Sequence, residues 1–149
     1  MISVQKNNFS INEELSKLKI KYNNIGAISN FIGIVRDKSK QSNLVSMTLE
    51  HYPGMAEKML TEIENQALSR WNLIGSTIIH RYGELFPGDQ IVLVITASEH
   101  RKDAVESCHF IIDWLKTKGP FWKYEKTNRA GFWVEAKETD KKEELKWKT

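Results

Sequence analysis

The stretch IVLVITASEHRKDAVESCHFIIDWLKTKGPFWKYEK, residues 91–126, predicts a strand, a long helix and a second strand. Its first part, IVLVITA, is a nearly continuous apolar run, which is typical of a central strand covered on both faces. The segment from about 99 to 118 repeats apolar residues at helical spacing and predicts an amphipathic helix. Ser98 is the expected N-cap of this helix, and Gly119 with Pro120 is expected to end it. The inner stripe of the helix is expected to hold Ala104, Cys108, Ile111 and Leu115.

Outward from this stretch, strand and helix patterns mix, which favours an α+β fold. Ser10 and Glu13 form a capping-box pattern at the start of a first helix. Strands are expected at 26–36, 44–51, 76–82, 121–126 and 132–137, and helices at about 10–21 and 55–71. We expect the first two strands to pair with each other, the last two to form a hairpin, and the helices to pack against a mixed or antiparallel sheet.

The size and composition favour one folded domain over residues 1–149, with an N-terminal helix region to about residue 25. From about residue 139 to 149 the chain is a charged tail without a sustained apolar face. No apolar stretch reaches the roughly 20 residues that a membrane span needs, and the first residues show no signal pattern. We therefore expect a cytoplasmic protein with no membrane contact, in which the single cysteine, Cys108, is a buried thiol.

Missing motifs narrow the chemistry further. The four histidines have no partners at zinc-binding spacing, so neither a metal nor a cofactor is expected. GxGxxG, P-loop, GxSxG and HExxH motifs are also missing, which leaves the common nucleotide-binding, hydrolase and zinc-protease classes without support. The net charge of +3 is small, but basic residues are concentrated between 101 and 126, a distribution that suits an anionic ligand.

Two lysines flank the predicted Gly-Pro bend. Lys116 lies in the last turn of the long helix and Lys123 in the next strand, so the bend can direct both amines into one cleft. Two ammonium groups held close disfavour each other's charge, which favours a lysine that acts as a nucleophile or proton carrier. The alternative is structural: Lys116 would interact with the helix dipole and Lys123 would be an exposed strand residue.

Three other residues are candidate anion ligands. His100 and Arg101 are expected at the start of the same helix, where free backbone N–H groups attract anions, although nearby acidic residues provide a purely structural explanation. Arg36 ends a predicted strand and is either a ligand at the sheet edge or a solvated side chain. For His51 we favour a structural role at a strand end over that of a base. Four aromatic residues are expected near the cleft, namely Trp114, Phe121, Trp122 and Trp133. Most of them are expected to be core residues, although one ring could stack on a ligand.

Five ordered strings resemble one known family, the MoaE family, which comprises the large subunits of molybdopterin synthase. The strings are GIVR at 33–36, LEHYPGM at 49–55, IHRYGELFPGD at 79–89, SEHR at 98–101 and LKTKGPFWKYE at 115–125. The resemblance runs from about residue 26 to about residue 138. It implies an α/β hammerhead-type sandwich with an additional small antiparallel β subdomain.

The resemblance also implies a function and partners. Such a subunit is a sulfurtransferase that forms a homodimer and binds a small ubiquitin-like subunit, giving a heterotetramer. Sulfur passes from the thiocarboxylated Gly-Gly tail of the small subunit to cyclic pyranopterin monophosphate, and two transfers yield the dithiolene of molybdopterin. Lys116 and Lys123 match the catalytic lysines of the family and also bind substrate, while Arg36, His100 and Arg101 match its substrate-binding residues.

Two other functions are compatible with the residues alone. A nucleic-acid-binding module would use the basic helix end and the aromatics, and its affinity would fall steeply with salt. A non-catalytic assembly scaffold would bind the small subunit and leave the pterin unchanged. Loss of product formation on replacing Lys116 or Lys123 separates the synthase from both.

Overall fold

The computed structural model describes residues 1–135 and 138–148 and shows a chain of mixed helices and strands. The strands are β1 Ile2–Gln5, β2 Ala27–Ile34, β3 Lys38–Ser39, β4 Ser42–Glu50, β5 Leu73–Arg81, β6 Gly83–Leu85, β7 Gln90–Ser98, β8 Trp122–Thr127 and β9 Gly131–Val134. The helices are α1 Ile11–Lys21, α2 Met55–Arg70, α3 Arg101–Lys118 and α4 Glu138–Leu145. The expected α+β class is confirmed. Within the described ranges, no helix combines the length and the apolarity that crossing a membrane requires.

A mixed sheet in the order β1-β5-β7-β2 forms the centre of the fold. β7 pairs antiparallel with β5 and β2, whereas β1 joins β5 in parallel. Successive residues of β7 point to opposite faces, so Val94 packs with α2 and α3 while Leu93 and Ile95 pack with α1. The apolar run at 91–97 is therefore a central strand covered on both faces, as predicted, and Cys108 lies buried in this core.

A second, antiparallel sheet has the order β3-β4-β8-β9, with β6 also paired to β4. It corresponds to the small β subdomain that the resemblance implies. Its β4–β8 ladder places Leu49 opposite Lys123 and Met47 opposite Glu125, so these four side chains share one face. The hairpin of β8 and β9 is confirmed, although positions 136 and 137 of the predicted second strand lie outside the described residues.

The expected pairing of 26–36 with 44–51 is wrong. β2 pairs with β7, and β4 pairs with β3, β6 and β8 in the other sheet. The chain reverses between β3 and β4 at Lys40 and Gln41, both of which have positive φ angles. This local hairpin supplies β4 with a neighbour, and apolar alternation identifies a strand without identifying its partner.

The start of α3 also differs from the prediction. Ser98 is the last residue of β7 rather than the helix N-cap, and its Oγ donates a hydrogen bond to the Asn72 carbonyl at 2.9 Å. The helix begins at Arg101, with His100 in the N-cap position and no side-chain capping bond. The carboxyl end of α3, just before Gly119, agrees with the sequence.

The N-terminal region contains one predicted and one unpredicted element. The Glu13 N–H donates to Ser10 Oγ at 3.3 Å, which confirms the cap of α1. The strand β1 was not anticipated, because four residues are too few to show a clear alternation. It extends the central sheet by parallel pairing with β5.

The charged tail contains the helix α4, which the sequence did not predict. Trp147, just beyond this helix, donates from Nε1 to Asp113 Oδ2 at 2.6 Å, and its ring packs edge-on against Trp71 and Phe110. Lys118 of α3 adds an ion pair with Glu144 at 2.8 Å. The tail is therefore attached to α3 by one aromatic side chain and a few ion pairs. Such contacts leave no apolar stripe at helical spacing, so the sequence gives no sign of them.

Candidate active site

A cavity of about 400 Å³ opens where the end of α3 meets β8 and the segment that follows β2. Apolar side chains, among them Met47 and Ile91, form part of its wall. Among the residues that the structure describes, its charged lining consists of Arg36, Lys38, Lys116, Lys123, Glu125 and Glu135. Four basic and two acidic groups leave an excess of positive charge, which favours an anionic ligand.

Lys116 and Lys123 reach this cavity from opposite sides of the bend at Gly119. The bend is tight, since a Cβ on Gly119 would overlap the carbonyl oxygen of Leu115. Lys116 is exposed, whereas Lys123 is half-buried. The alternative interpretation, in which Lys123 is an exposed strand residue without a role in the cleft, is therefore not supported. The two predicted lysines thus share one cleft, and their catalytic role stays a prediction.

Arg36 and Glu125 complete the polar lining that faces the lysines. Arg36 is exposed and lies two residues beyond the end of β2. Glu125 is only 6% exposed, and its Oε2 accepts no hydrogen bond from the described residues. A carboxylate buried beside cations offsets part of their charge. Sequence analysis missed Glu125, although strand alternation places it on the same face as Lys123.

His100 and Arg101 lie at the other end of α3 and do not line this cavity within one chain. Arg101 and Lys116 are 15 residues apart, which corresponds to roughly 22 Å along the helix axis. Both His100 and Arg101 are exposed. Their acidic neighbours are used elsewhere: Asp103 accepts from the Asn72 N–H and Glu106 from Trp71 Nε1. Of the five predicted site residues, a single chain therefore brings three to this cavity, namely Arg36, Lys116 and Lys123.

Comparisons with known proteins match this sequence and this fold to one family. The family profile described as MoaE protein matches residues 4–118. The chain belongs to the MoaE protein family. The molybdopterin synthase catalytic subunit of Ralstonia nicotianae is 47% identical, over 98% of this chain and 83% of that protein. The corresponding protein of Vibrio cholerae is 44% identical, over 98% of this chain and 97% of that protein. A solved MoaE structure from Burkholderia ambifaria is similar with a TM-score of 0.85 at 44% identity, covering 99% of this chain and 97% of that one. The family, the fold and the molybdopterin synthase function that the resemblance implies are confirmed.

Phe121, which lines the cavity of this MoaE chain, stacks on His80, and we refer to this pair of rings as the cavity floor. The ring of His80, in β5, lies on the ring of Phe121 with centroids 3.6 Å apart and an angle of 8° between the planes. A small hollow of about 70 Å³ beneath the cavity is lined by both rings and by Lys116 and Lys123. Burial, reinforced by the positive charges nearby, lowers the pKa of His80 from 6.5 to about 3. This imidazole is therefore neutral in the physiological pH range.

His80 was missed because an isolated histidine in an apolar strand shows no partner in the sequence. The other aromatic predictions have mixed outcomes. His51 packs its ring 4.4 Å from that of Tyr82, which agrees with the structural role that we favoured. Phe121 lines the cavity and Trp114 packs against the core, as expected. Trp122 and Trp133 are about half exposed and do not line the cavity.

A separate charged cluster of the MoaE chain joins α3 to α4. His109, Asp113 and Glu143 bring their ligand atoms within 4.8 Å of one another. The ammonium of Lys146 lies among them, 2.7 Å from Glu143 Oε2 and 3.2 Å from His109 Nε2. A protein cation thus occupies the position that a metal ion would take, so we interpret the cluster as an ion-pair network that holds the tail.

Proposed function

We propose that this MoaE protein is the sulfurtransferase subunit that converts cyclic pyranopterin monophosphate to the dithiolene of molybdopterin. Sulfur would come from the thiocarboxylated Gly-Gly tail of a small ubiquitin-like subunit. The observation that carries this proposal is the convergence of Lys116, Lys123 and Arg36 on one cavity in a chain of this family. Both proposed ligands are anionic, in agreement with the excess of basic groups.

The proposed chemistry assigns binding to Arg36 and charge stabilisation to the lysines. The Arg36 guanidinium can hold a phosphate through two parallel N–H···O bonds and so fix the pterin relative to the incoming tail. As the thiocarboxylate sulfur bonds to one side-chain carbon of the pterin, the bond from that carbon to a phosphate oxygen breaks, which opens the cyclic phosphate. In the second transfer, sulfur replaces the oxygen on the neighbouring carbon, which leaves as water. Lys116 and Lys123 stabilise the negative charge on these departing oxygens and donate the protons that they need. Hydrolysis of the acyl–sulfur bond then leaves the sulfur on the pterin and releases the tail as a carboxylate.

A second copy of the chain is needed to bring His100 and Arg101 into this scheme. The length of α3 separates them from the lysines of their own chain. In a two-fold dimer, the exposed start of α3 in one chain can reach the cavity of its partner and complete the phosphate site. We therefore propose a homodimer in which each chain also binds one small subunit, giving a heterotetramer. The cytoplasmic location belongs to this proposal, because the buried Cys108 thiol is compatible with a reducing compartment.

Replacement of the lysines tests the function directly. We expect Lys116→Ala and Lys123→Ala to retain the fold and small-subunit binding but to lose at least about 100-fold in product formation, the scale of a lost charge-stabilising donor. The assay incubates each variant with thiocarboxylated small subunit and cyclic pyranopterin monophosphate, and detects the dithiolene product by mass spectrometry.

Lys118→Ala is the matched control, because Lys118 lies on the same helix end but pairs with Glu144 instead of lining the cavity. It should retain wild-type turnover. Undiminished product formation by both cavity variants would rule out the assignment. Small-subunit binding by the wild type without any product would point to a scaffold instead.

A further inference from the structure

The chemistry proposed above makes no use of the imidazole of His80, a buried polar group of the cavity floor. This side chain is 5% exposed and stacks on Phe121, which precedes Lys123 by two residues. If the floor served only as an apolar surface, a ring without nitrogen atoms at position 80 would stack on Phe121 equally well. The two nitrogens of His80 therefore need partners of their own, since a buried polar atom without a hydrogen bond is destabilising.

The first nitrogen has an identified partner that fixes the tautomer. His80 Nδ1 lies 2.9 Å from the carbonyl oxygen of Arg81. A carbonyl oxygen can only accept, so Nδ1 carries the hydrogen of the neutral ring. The lone pair then resides on Nε2, which can only accept a hydrogen bond. Because the pKa of His80 is about 3, this nitrogen is a hydrogen-bond acceptor and not a general base at neutral pH.

The surroundings of the ring limit which donors can serve Nε2. Of the described residues that line the small hollow, three carry polar side chains, namely His80, Lys116 and Lys123. The remaining lining is apolar or glycine, with Phe31, Val92 and Ile112 among it. The hollow measures about 70 Å³, which is large enough for a bridging water. The side-chain donors of this hollow are therefore the two amines of the proposed active site.

We propose that His80 is a positioning residue for the lysine pair: its Nε2 accepts a hydrogen bond, direct or through one water, from a lysine ammonium and holds that amine at the cavity floor. This inference rests on the proposed sulfur transfer for its catalytic consequence. Three ionisable groups bear on the ring: Lys116 from α3, Lys123 from β8 and His51 from the segment after β4. An uncharged acceptor at this place stabilises an ammonium without adding another cation to a site that already holds two lysines.

The test uses two replacements at His80 in the full chain. His80→Phe keeps a stacking ring but has no lone pair, so we expect a kcat about tenfold lower, the effect of one hydrogen bond to a charged group. We also expect the limb of the pH–rate profile that reports on the lysine pair to move about one pH unit lower, because loss of an acceptor disfavours the ammonium form. His80→Gln places an amide oxygen near the Nε2 position and should restore much of both properties.

The matched control is His51→Phe, since His51 contacts the same Phe121 ring at 5.9 Å but does not line the hollow. Its pH–rate profile should follow that of the wild type. ¹⁵N NMR of lysine-labelled protein gives a second readout that needs no turnover: the Nζ resonance of Lys116 or Lys123 should change in His80→Phe and not in His51→Phe.

The outcomes separate this inference from the proposed function. A wild-type chain that forms no product with thiocarboxylated small subunit and precursor would refute the function, while the NMR comparison would still decide the role of His80. Unchanged lysine resonances together with an unshifted pH–rate profile in His80→Phe would overturn the inference. It would equally be overturned if His80→Gln were as impaired as His80→Phe.

Discussion

A mixed dimer gives the sharpest test of whether two chains build each active site. One chain carries Lys116→Ala and Lys123→Ala, and the other carries His100→Ala and Arg101→Ala. The two are coexpressed with different affinity tags, and the mixed dimer is isolated by sequential purification. Each double variant by itself should be inactive. In the mixed dimer, a site shared between chains would combine the intact lysines of one chain with the intact His100 and Arg101 of the other.

The geometry fixes the expected recovery. Roughly 22 Å of helix separates the two pairs within a chain, so in a two-fold dimer one cavity receives both intact pairs and the other receives neither. The mixed dimer should therefore form product at about half the wild-type rate. A site contained within one chain would give no recovery, because each chain lacks one pair. The reasoning is refuted if the mixed dimer is no more active than its parents, or if the His100/Arg101 double variant is active alone.

Three further predictions concern binding, acid stability and the tail. Arg36→Ala should lower kcat/KM for the pterin about 10- to 100-fold in steady-state kinetics. Arg36→Lys should recover only part of this loss, because a lysine keeps the charge but cannot form the bidentate phosphate contact. Equal kcat/KM in the wild type and the alanine variant would exclude this role. His80 has a pKa near 6.5 in the unfolded chain and near 3 in the folded chain, so the free energy of unfolding should fall by about 1.4 kcal/mol per pH unit as the pH drops below 6.5. This contribution should be missing in His80→Phe. Identical pH dependences of the two proteins in urea titrations would contradict the prediction. Trp147→Ala should lower the free energy of unfolding by about 2–3 kcal/mol, since it removes a ring contact and leaves Asp113 without its indole donor, whereas a loss below about 0.5 kcal/mol would show that the tail contributes little.

The elements that the sequence predicted well are those specified by local patterns. The apolar run at 91–97 and the helical spacing from Ala104 to Leu115 gave β7 and most of α3, because the two periods of 2.0 and 3.6 residues are visible within one segment. The end of α3 at Gly119 was equally local. This bend is also the reason that the sequence alone places Lys116 and Lys123 in one cleft.

Apart from the short strand β1, the main failures involve contacts between segments far apart in the chain. Nothing within 26–36 indicates that β2 pairs with β7, and nothing around Trp147 indicates the core surface that receives it. His80 and Glu125 were missed for the same reason, since a polar residue in a strand reveals its burial only through neighbours from other elements. The separation of Arg101 from Lys116 could have been calculated, however, because it follows from helix rise alone.

That separation gives α3 a specific part in the proposed assembly. The helix spans roughly 27 Å and packs against β2 and β7, so its two ends are fixed relative to each other by a rigid sheet. If one end supplies Lys116 to its own cavity and the other supplies Arg101 to the partner's cavity, each helix contributes to both sites of the dimer. Positioning by a preformed, rigid frame is the form of catalysis that such a structure favours, because the charged groups need not reorganise when the substrate arrives.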